Sequence, residues 1–384
     1  MKKRIANFTA GPALKPKWVQ AEIDKARRDF FGTGIPLTET SHRKDIVVRM
    51  ARDTVDLVRK TFGIGDGYVV ALVPGGGTEQ FKSWILNMVP YPVVRRPRIA
   101  FIESDVWATS AMEKKGALDL EKAGMCDIVR IVPPSRNAVR PSVDPEWFRH
   151  VDDSCDMAYI VSNGTGGGVQ YPTLDNIPKD FKPLVIMDAS SDLGSYRFDV
   201  KKFAYIFAGT QKCLGIQGIT LVIARKDVLV ANPLLAGTQS VLVQSSEKNA
   251  GGLFNTADVE AIYALNRMLV WIRKKGGLEA MKIRSEARAG ALYTAIDASQ
   301  MFEGLALRNS RSMMNATFRI KGGNDQIHAD FLRFCDEQGI EGVNGHDAAR
   351  KLYGPHFRAS LYNGQTMANV RRLIKVMKEF ERRS

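Results

Sequence analysis

Residues 204–224 read AYIFAGTQKCLGIQGITLVIA, two apolar runs that flank a glycine-rich turn. The runs Ala204–Ala208 and Thr220–Ala224 have the length and the β-branched and aromatic content of buried strands. The turn between them contains one lysine, Lys212, among glycines that allow a tight backbone path. The stretch therefore predicts two strands joined by a short turn that presents a lysine.

More apolar runs of the same kind precede this stretch, at Tyr68–Val73, Arg98–Glu103, Ile128–Val132, Met157–Ser162 and Leu184–Asp188. Helical stretches such as Thr78–Met88 separate several of them. Strands that alternate with helices are typical of a parallel sheet covered on both faces. The chain is therefore predicted to be an α/β protein whose large lobe has a mostly parallel, seven-stranded sheet.

The character of the sequence changes near Val259. Two long helical runs, Val259–Arg273 and Leu278–Ser299, are followed by short strand-like runs and a charged terminal helix at Thr366–Arg383. This pattern predicts a smaller α+β lobe. The predicted division is an N-terminal arm (1–15), a large domain (16–262) and a small C-terminal domain (263–384).

Residues suited to chemistry fall at the ends of the predicted strands. They are Gly75–Thr78, Asn163–Thr165, Asp188 and Gln211-Lys212. In parallel α/β sheets the ligand binds at the carboxyl ends of the strands. Because several strand ends contribute, the sequence predicts one shared site.

Lys212 is the first candidate for catalysis. A lysine on a tight turn beside apolar residues can lose its hydration, which lowers its pKa and leaves a neutral, nucleophilic amine. Such an amine forms a Schiff base with an aldehyde cofactor. Taken alone, a solvated turn lysine is the commoner interpretation, so support must come from its neighbours.

Three other positions give that support, each with an alternative. Asp188 ends an apolar strand and could keep the pyridine nitrogen of pyridoxal phosphate protonated, or could cap a helix. Gly75–Thr78 opens a helix and suits a phosphate, but it also suits a plain tight turn, and it is not a GxxxxGK[ST] nucleotide loop. Trp107 could stack on a flat cofactor or lie in the core.

Composition narrows the class of protein. The net charge of +14 is spread along the chain, which favours a basic enzyme that attracts small anions over a nucleic-acid binder. The four cysteines lie far apart without metal-ligand spacing, which is typical of reduced thiols in the cytoplasm. No secretory signal and no apolar run of about 18 residues is present, so neither export nor a membrane span is predicted.

Ordered motifs over nearly the whole chain resemble the phosphoserine aminotransferase family, a class V branch of the fold-type I pyridoxal-phosphate enzymes. The motifs are the opening segment 7–13, Ser41-His42-Arg43, the GGGxxQF segment 75–81, the WAxSA segment 107–111, the SNET-like segment 162–165, the DxSSD segment 188–192, the AGxQK segment 208–212, the NTP-like segment 253–256 and the RASxYN segment 358–363.

The resemblance implies a pyridoxal 5'-phosphate enzyme that acts on small acidic amino acids and 2-oxo acids and forms a homodimer with shared active sites. By position, Lys212 would be the Schiff-base lysine, and the cofactor would be bound by Gly77, Thr78, Trp107, Thr165, Asp188, Gln211 and, from the other subunit, Asn255 and Thr256. Arg358 would hold the α-carboxylate of the substrate. His42, Arg43 and His346 would hold its far acidic group. No metal is implied.

Departures from the family pattern concern the substrate. The family's GHR becomes Gly345-His346-Asp347, and Arg358 follows eleven residues later instead of six. Gly164 replaces the glutamate of SNET, and Ala257 replaces a proline. An acid near a substrate dianion would repel it unless Arg350 or Lys351 supplies the missing charge.

Three hypotheses follow from the sequence. The first is a transaminase that uses glutamate and 3-phosphooxypyruvate. The second keeps the fold and cofactor but takes a phosphonate, sulfonate or carboxylate analogue, or acts as a lyase or decarboxylase. The third is a basic binding protein without catalysis, which the presence of both Lys212 and Asp188 disfavours.

Overall fold

The computed structural model describes residues 5–114, 116–133, 140–171, 173–174 and 177–383. The strands are β1 (Ala6–Asn7), β2 (Tyr68–Pro74), β3 (Arg98–Ile102), β4 (Asp127–Ile131), β5 (Met157–Val161), β6 (Asn163–Gly164), β7 (Val169–Gln170), β8 (Leu184–Asp188), β9 (Tyr205–Gly209), β10 (Ile219–Arg225), β11 (Phe302–Gly304), β12 (Asn315–Ile320), β13 (Ile340–Glu341) and β14 (Phe357–Ser360). The α-helices are α1 (Lys17–Ala26), α2 (Asp45–Phe62), α3 (Gly77–Met88), α4 (Val106–Glu113), α5 (Ala117–Lys122), α6 (Val241–Gln244), α7 (Val259–Lys274), α8 (Gly277–Asp297), α9 (Asp325–Glu337), α10 (Asp347–Tyr353) and α11 (Met367–Arg383).

The central sheet has seven strands in the order β2-β10-β9-β8-β5-β3-β4. Strand β10 is antiparallel to both of its neighbours, and the other pairs are parallel. Strand β2 therefore runs in the same direction as β9, and its carboxyl end lies at the same edge of the sheet. The predicted α/β fold with a mostly parallel, seven-stranded sheet is confirmed.

Helices cover both faces of this sheet, which explains why its strands are apolar throughout. Every residue of β5 and β9 is buried. Ile160 and Ile206 face a core that includes α2 and α7, whereas Tyr159 and Phe207 face a second core that includes α3 and α4. Strands buried on both faces read as continuous apolar runs rather than alternating ones.

A second, antiparallel sheet of three strands, β11-β12-β14, packs with α8, α9 and α11 around a separate core. The N-terminal segment joins this part of the chain, because β1 pairs in parallel with β13 through Ala6 and Ile340. Helix α7 crosses the predicted boundary at residue 262 and packs against α1 and α2. The division into an arm and two domains stays a prediction.

The first helix is shorter than predicted. The apolar periodicity of Lys17–Phe31 predicts a helix over the whole run, but α1 ends at Ala26. Residues 27–35 form a turn in which Phe31 has a φ of 54° and the Gly34 N–H donates to Asp29 Oδ1 over 2.8 Å. The Gly32-Thr33-Gly34 sequence favours a turn. These glycines end the helix although the apolar periodicity continues through them.

Among the described residues, no helix combines the length and the apolar character that crossing a membrane requires. In the same part of the chain, no cluster of three or more His, Cys, Asp or Glu side chains could hold a metal ion. The four cysteines are free and buried.

Candidate active site

A cavity of about 300 Å³ opens at the carboxyl ends of β2, β5, β8 and β9 and is called the Lys212 cavity below. Nine of the predicted site residues line it: Gly77, Thr78, Trp107, Thr165, Asp188, Gln211, Lys212, His346 and Arg358. They come from both sheets and from the loops between them. The fold therefore gathers most of the predicted site in one place, as the strand ends indicated.

Lys212 stands on the turn that leaves β9. Thr210 anchors this turn by donating its hydroxyl to the carbonyl oxygens of Ile216 and Ile219. The Lys212 Nζ donates to Thr165 Oγ1 over 3.3 Å and lies 5.7 Å from the centre of the Trp107 ring. Loss of hydration lowers the pKa of Lys212, and Arg358 lowers it further, while the carboxylate of Asp188 acts in the opposite direction.

Asp188 is the last residue of β8 and only 7% of its surface is exposed. Burial raises the pKa of Asp188, and this rise is limited by hydrogen bonds from Ser190 and by the charge of Lys212. One of those bonds runs from the Ser190 N–H to Asp188 Oδ1 over 2.9 Å. A buried acid that faces a cavity, without a cationic hydrogen-bond partner among the described residues, is suited to a ring N–H of a ligand.

The N-terminus of α3 also faces the Lys212 cavity through Gly77 and Thr78. The preceding Gly75 has a φ of +93°, a conformation that favours glycine. A Cβ at Gly77 would lie 3.0 Å from Ser190 Oγ, so a side chain there would fill space beside the helix end. N–H groups and the helix dipole favour an anion at this position.

The opposite side of the Lys212 cavity is formed by Trp107, His346 and Arg358. The rings of Trp107 and His346 lie 5.2 Å apart, and Arg358 Nη1 donates to the Thr165 carbonyl oxygen over 3.4 Å. In the described part of the chain, the buried Trp107 Nε1 and the Arg358 Nε have no hydrogen-bond partner. Burial and Arg358 lower the pKa of His346, which caps α10 by accepting from the Ala348 N–H.

Comparison with known proteins agrees with this geometry. The profile of the family described as aminotransferase class-V matches residues 5–373. The chain belongs to the class-V aminotransferase family. It is 33% identical to a phosphoserine aminotransferase of Desulfosudis oleivorans over 100% of this chain and 99% of that protein.

Solved structures of this class of aminotransferase have the same fold. The phosphoserine aminotransferase of Bacillus circulans subsp. alkalophilus is 27% identical, covers 99% of both chains and superimposes with a TM-score of 0.87. The pyridoxal-phosphate-bound phosphoserine aminotransferase of Trichomonas vaginalis is 25% identical and superimposes with a TM-score of 0.86 over 98% of this chain and 100% of that one. The motif-based resemblance is thereby confirmed, and the chain is a fold-type I, pyridoxal-phosphate-dependent aminotransferase.

The Lys212 cavity of this class-V aminotransferase has the donor set that pyridoxal phosphate requires. It offers an amine for the aldehyde, a buried carboxylate for the ring nitrogen and a helix N-terminus for the phosphate. The space beside Gly77, which a Cβ would fill, is the cradle at that helix end. The residues present therefore fit the cofactor.

Several residues that line the Lys212 cavity carry no ligand role in the motif pattern. Ser190 Oγ accepts from the Gly209 N–H over 3.2 Å and thus ties β8 to the Lys212 turn. Asn163 Nδ2 donates to Ser191 Oγ over 2.7 Å and to Asn315 Oδ1 over 2.8 Å. The DxSSD segment contains the signal for both serines, although serines after a strand are equally typical of helix caps. Ala10 and Gly11 also line the cavity, and no side-chain chemistry marks them.

The remaining predicted site residues do not line the Lys212 cavity. His42 and Thr256 line a second depression, and the His42 Nε2 is buried without a partner among the described residues. Arg43 is exposed, and Asn255 accepts a hydrogen bond from Gln244 over 3.2 Å. Asn255 and Thr256 are predicted to lie at the cofactor of the other subunit, which a single chain does not test. His42 and Arg43 do not join Lys212 within one chain, and their role stays a prediction.

Asp105 explains the glycine at position 164. A Cβ on Gly164 would lie 2.6 Å from Asp105 Oδ2, so no larger side chain fits while Asp105 keeps its position. Asp105 is buried and accepts from the N–H groups of Trp107 (3.1 Å) and Gly167 (2.9 Å). A glutamate at position 164 is thus incompatible with the observed position of Asp105. Nothing in the structure explains Ala257.

An outer depression adjoins the Lys212 cavity and shares Ala10, Gly11, His346 and Arg358 with it. Asp347, Lys114 and Lys351 also line this outer depression, whereas Arg350 does not. Arg350 Nη2 instead donates to Asp325 Oδ1 over 3.2 Å. The insertion before Arg358 forms helix α10, which turns Lys351 toward the site and Arg350 away from it.

Proposed function

We propose that this aminotransferase exchanges an amino group between glutamate and an acidic 2-oxo acid, with 3-phosphooxypyruvate as the acceptor. The observation that carries the proposal is the meeting of Lys212, Asp188, Thr165 and Arg358 in one cavity. Relatives named phosphoserine aminotransferase that match over their full length support the choice of acceptor.

In this proposal the cofactor supplies an electron-withdrawing ring that weakens the Cα–H bond of the bound amino acid. Lys212 would hold its aldehyde carbon, and Asp188 would keep its ring nitrogen protonated. Trp107 would cover the face of the ring, and Thr165 would donate to the ring hydroxyl. Gly77, Thr78 and Gln211 would bind the phosphate, and we add Ser190, whose hydroxyl borders the same space.

With its Nζ free, Lys212 would be the base that takes the proton from the substrate Cα, hold it as the ammonium ion, and pass it to the former aldehyde carbon of the cofactor. Burial, together with the neighbouring Arg358, lowers the pKa of Lys212 and so favours the neutral amine that this step requires. Thr165 Oγ1, 3.3 Å from the Nζ, orients the amine within the cavity.

Arg358 binds the α-carboxylate of the substrate. Its guanidinium lies in the wall of the Lys212 cavity, and its Nε has no hydrogen-bond partner in the described part of the chain. A planar guanidinium with free donors is suited to bidentate binding of a carboxylate.

The far acidic group of the substrate extends toward the outer depression, where Lys114 and Lys351 flank His346. We propose that Lys351 supplies the charge that the family arginine provides elsewhere. His42 and Arg43 of a second copy of the chain complete this subsite.

The second copy belongs to a homodimer in which Asn255 and Thr256 reach the cofactor phosphate of the other subunit. The exposed apolar side chains Leu234 (54% exposed), Leu242 (37%) and Phe254 (46%) support a covered face in this part of the chain. The unpartnered His42 Nε2 supports the same arrangement. The four free cysteines support a cytoplasmic location.

Asp347 favours a second candidate, an acceptor whose far group carries one negative charge, such as a sulfonate or carboxylate analogue. Its carboxylate is exposed in the outer depression and repels a phosphate dianion more strongly than a monoanion.

The deciding experiment is a coupled assay with glutamate as donor that compares 3-phosphooxypyruvate with its phosphonate, sulfonate and carboxylate analogues. The proposal expects the highest kcat/KM for the phosphate ester. Equal or better turnover of a monoanionic analogue would establish the second candidate instead. If glutamate leaves the visible absorption of the bound cofactor unchanged, glutamate is not the donor, and a lyase or decarboxylase must be tested.

A further inference from the structure

A cavity of about 650 Å³ lies between the N-terminal segment, helices α7 and α8 and the start of α11. It shares no lining residue with the Lys212 cavity and is called the Arg288 cavity here. Its lining contains Lys15, Lys17, Arg284 and Arg288, and no aspartate or glutamate among the described residues. The cavity is therefore a concentration of positive charge apart from the active site.

Arg288 is the buried cation of this cavity. Only 5% of its surface is exposed. Its Nη1 donates to the Gln365 carbonyl oxygen over 3.3 Å and its Nη2 to Ser285 Oγ over 3.1 Å, but its Nε has no partner among the residues that the structure describes. No carboxylate pairs with it in the described part of the chain. A buried charge without a counter-ion is costly, and a bound anion would remove that cost.

The N-terminus of α11, a helix of 17 residues, provides a second anion-binding feature. Thr366, Met367, Ala368 and Asn369 line the cavity at this helix end, and its first turn contains no acidic residue. Thr366 Oγ1 accepts from the Asn369 N–H over 3.2 Å, which leaves the N–H groups of Met367 and Ala368 available. The helix dipole and these donors favour negative charge.

The remaining wall contains several apolar side chains. Trp18 and Trp271 line it together with Leu14, Pro16 and Met367. Asn363, which is 2% exposed, contributes an Oδ1 that has no partner within the described ranges, while its Nδ2 donates to the Gly194 and Cys213 carbonyl oxygens. This wall suits a ring, and the amide oxygen suits a hydroxyl group on the same molecule.

We propose that the Arg288 cavity binds an organic anion, a carboxylate or phosphate ester carried on a flat apolar body. The anion lies between Arg288 and the N-terminus of α11, and the apolar body packs against Trp18 and Trp271. The site is independent of the amino-transfer reaction proposed above.

Calorimetric titration of the cofactor-loaded enzyme tests the proposal with three probes: phenyl phosphate, phenylacetate and the uncharged benzyl alcohol. Whichever of phenyl phosphate and phenylacetate binds more tightly identifies the acidic group that the cavity prefers. The uncharged benzyl alcohol should bind weakly. Arg288→Met should weaken the binding of that anion roughly tenfold or more. Lys282→Met is the matched control, because Lys282 lies on the exposed face of α8 beside Glu286. This variant should bind the anion as the wild type does.

A second variant guards against a folding defect in Arg288→Met. Ala287 lines the cavity from an exposed position of α8, so Ala287→Glu places a carboxylate at the site with little effect on packing and should also weaken binding. Anion binding that is unchanged in both variants overturns the proposal. Binding that excess glutamate displaces and that Arg288→Met does not alter would place the probe in the active site, which also overturns it. This test measures binding and not catalysis. It therefore remains valid even if the enzyme does not turn over the substrates proposed above.

Discussion

Lys212 depends on opposing neighbours for the state of its amine. Burial lowers its pKa from the ordinary value of 10.5, and Asp188 limits the decrease. Replacing Asp188 by Asn removes the limiting charge, so the pKa of Lys212 should fall further and the neutral amine should be present at lower pH. We expect the rate at which apoenzyme captures pyridoxal phosphate to reach its plateau at lower pH in Asp188→Asn than in the wild type.

Stopped-flow absorbance over a pH series measures this profile. Asp66→Asn, a change of an exposed acid distant from the cavity lining, should leave the profile in place. If the profile of Asp188→Asn is unchanged or shifts to higher pH, the Asp188 carboxylate is not the charge that raises the pKa of Lys212.

Lys351 and Arg350 are neighbours in sequence with opposite orientations. Lys351 lines the outer depression, and Arg350 pairs with Asp325. Lys351→Met should raise the KM for glutamate and for the acidic acceptor by about 5- to 20-fold, the loss of one partly solvated charge contact. Reaction with alanine as donor should change little, because alanine has no far acidic group.

Arg350→Met is the control, since it removes an equal charge from the same helix and should leave both KM values near those of the wild type. If both variants raise KM equally, the effect comes from the overall charge of α10 and not from a contact with Lys351. That result would contradict the role proposed for Lys351.

At the scale of an element, the N-terminus of α3 is predicted to hold the cofactor phosphate. A Cβ at Gly77 would approach Ser190 Oγ to 3.0 Å, whereas one at Gly76 would meet nothing within 4 Å. Gly77→Ala should therefore weaken pyridoxal-phosphate binding by about tenfold, and Gly76→Ala should not. Equilibrium titration of the two apoenzymes, followed by tryptophan fluorescence, compares them directly. Equal affinity in both variants would show that the phosphate binds elsewhere.

The same scale shows what the sequence could and could not predict. Strands buried on both faces, such as β5 and β9, were predictable because their apolar runs are continuous and are bounded by polar or glycine residues. The end of α1 was not, because the turn at Phe31 competes with an apolar period that runs through it. The orientation of the Lys351 side chain could not be predicted either, because it depends on the residue at which α10 begins after the insertion.

At the scale of the whole molecule, the four site residues outside the Lys212 cavity predict sharing between subunits. Mixed dimers of Lys212→Ala and Arg43→Ala chains should contain one intact site, formed by Lys212 of one chain and Arg43 of the other. Half of the dimers in an equal mixture are mixed, so co-refolded chains should recover about a quarter of the wild-type activity.

Lys212→Ala mixed with Arg358→Ala is the matched control, because Lys212 and Arg358 line the same cavity of a single chain and no intact site can form. Recovery in this control, or none in the first mixture, would contradict the shared arrangement.

Strand ends alone indicated six of the nine cavity-lining residues: Gly77, Thr78, Thr165, Asp188, Gln211 and Lys212. The roles of Trp107, His346 and Arg358 rested on the family resemblance. Gly164 shows the limit of that inference. The space that a side chain at position 164 would need is occupied by Asp105, a residue 59 positions away. Pair contacts of this kind are fixed by packing, and a single sequence does not reveal them.

The pairing of β1 with β13 has a consequence for the synthesis of the enzyme on the ribosome. Ala6 cannot form its strand pair until Ile340 has been translated, more than 300 residues later. At about 5 to 20 residues per second, that delay is roughly 20 to 70 s. Throughout this time Ala10 and Gly11, which border the Lys212 turn, lack the strand that tethers them. The nascent chain can form its central sheet early, but its active site is complete only after β13 has emerged and paired with β1.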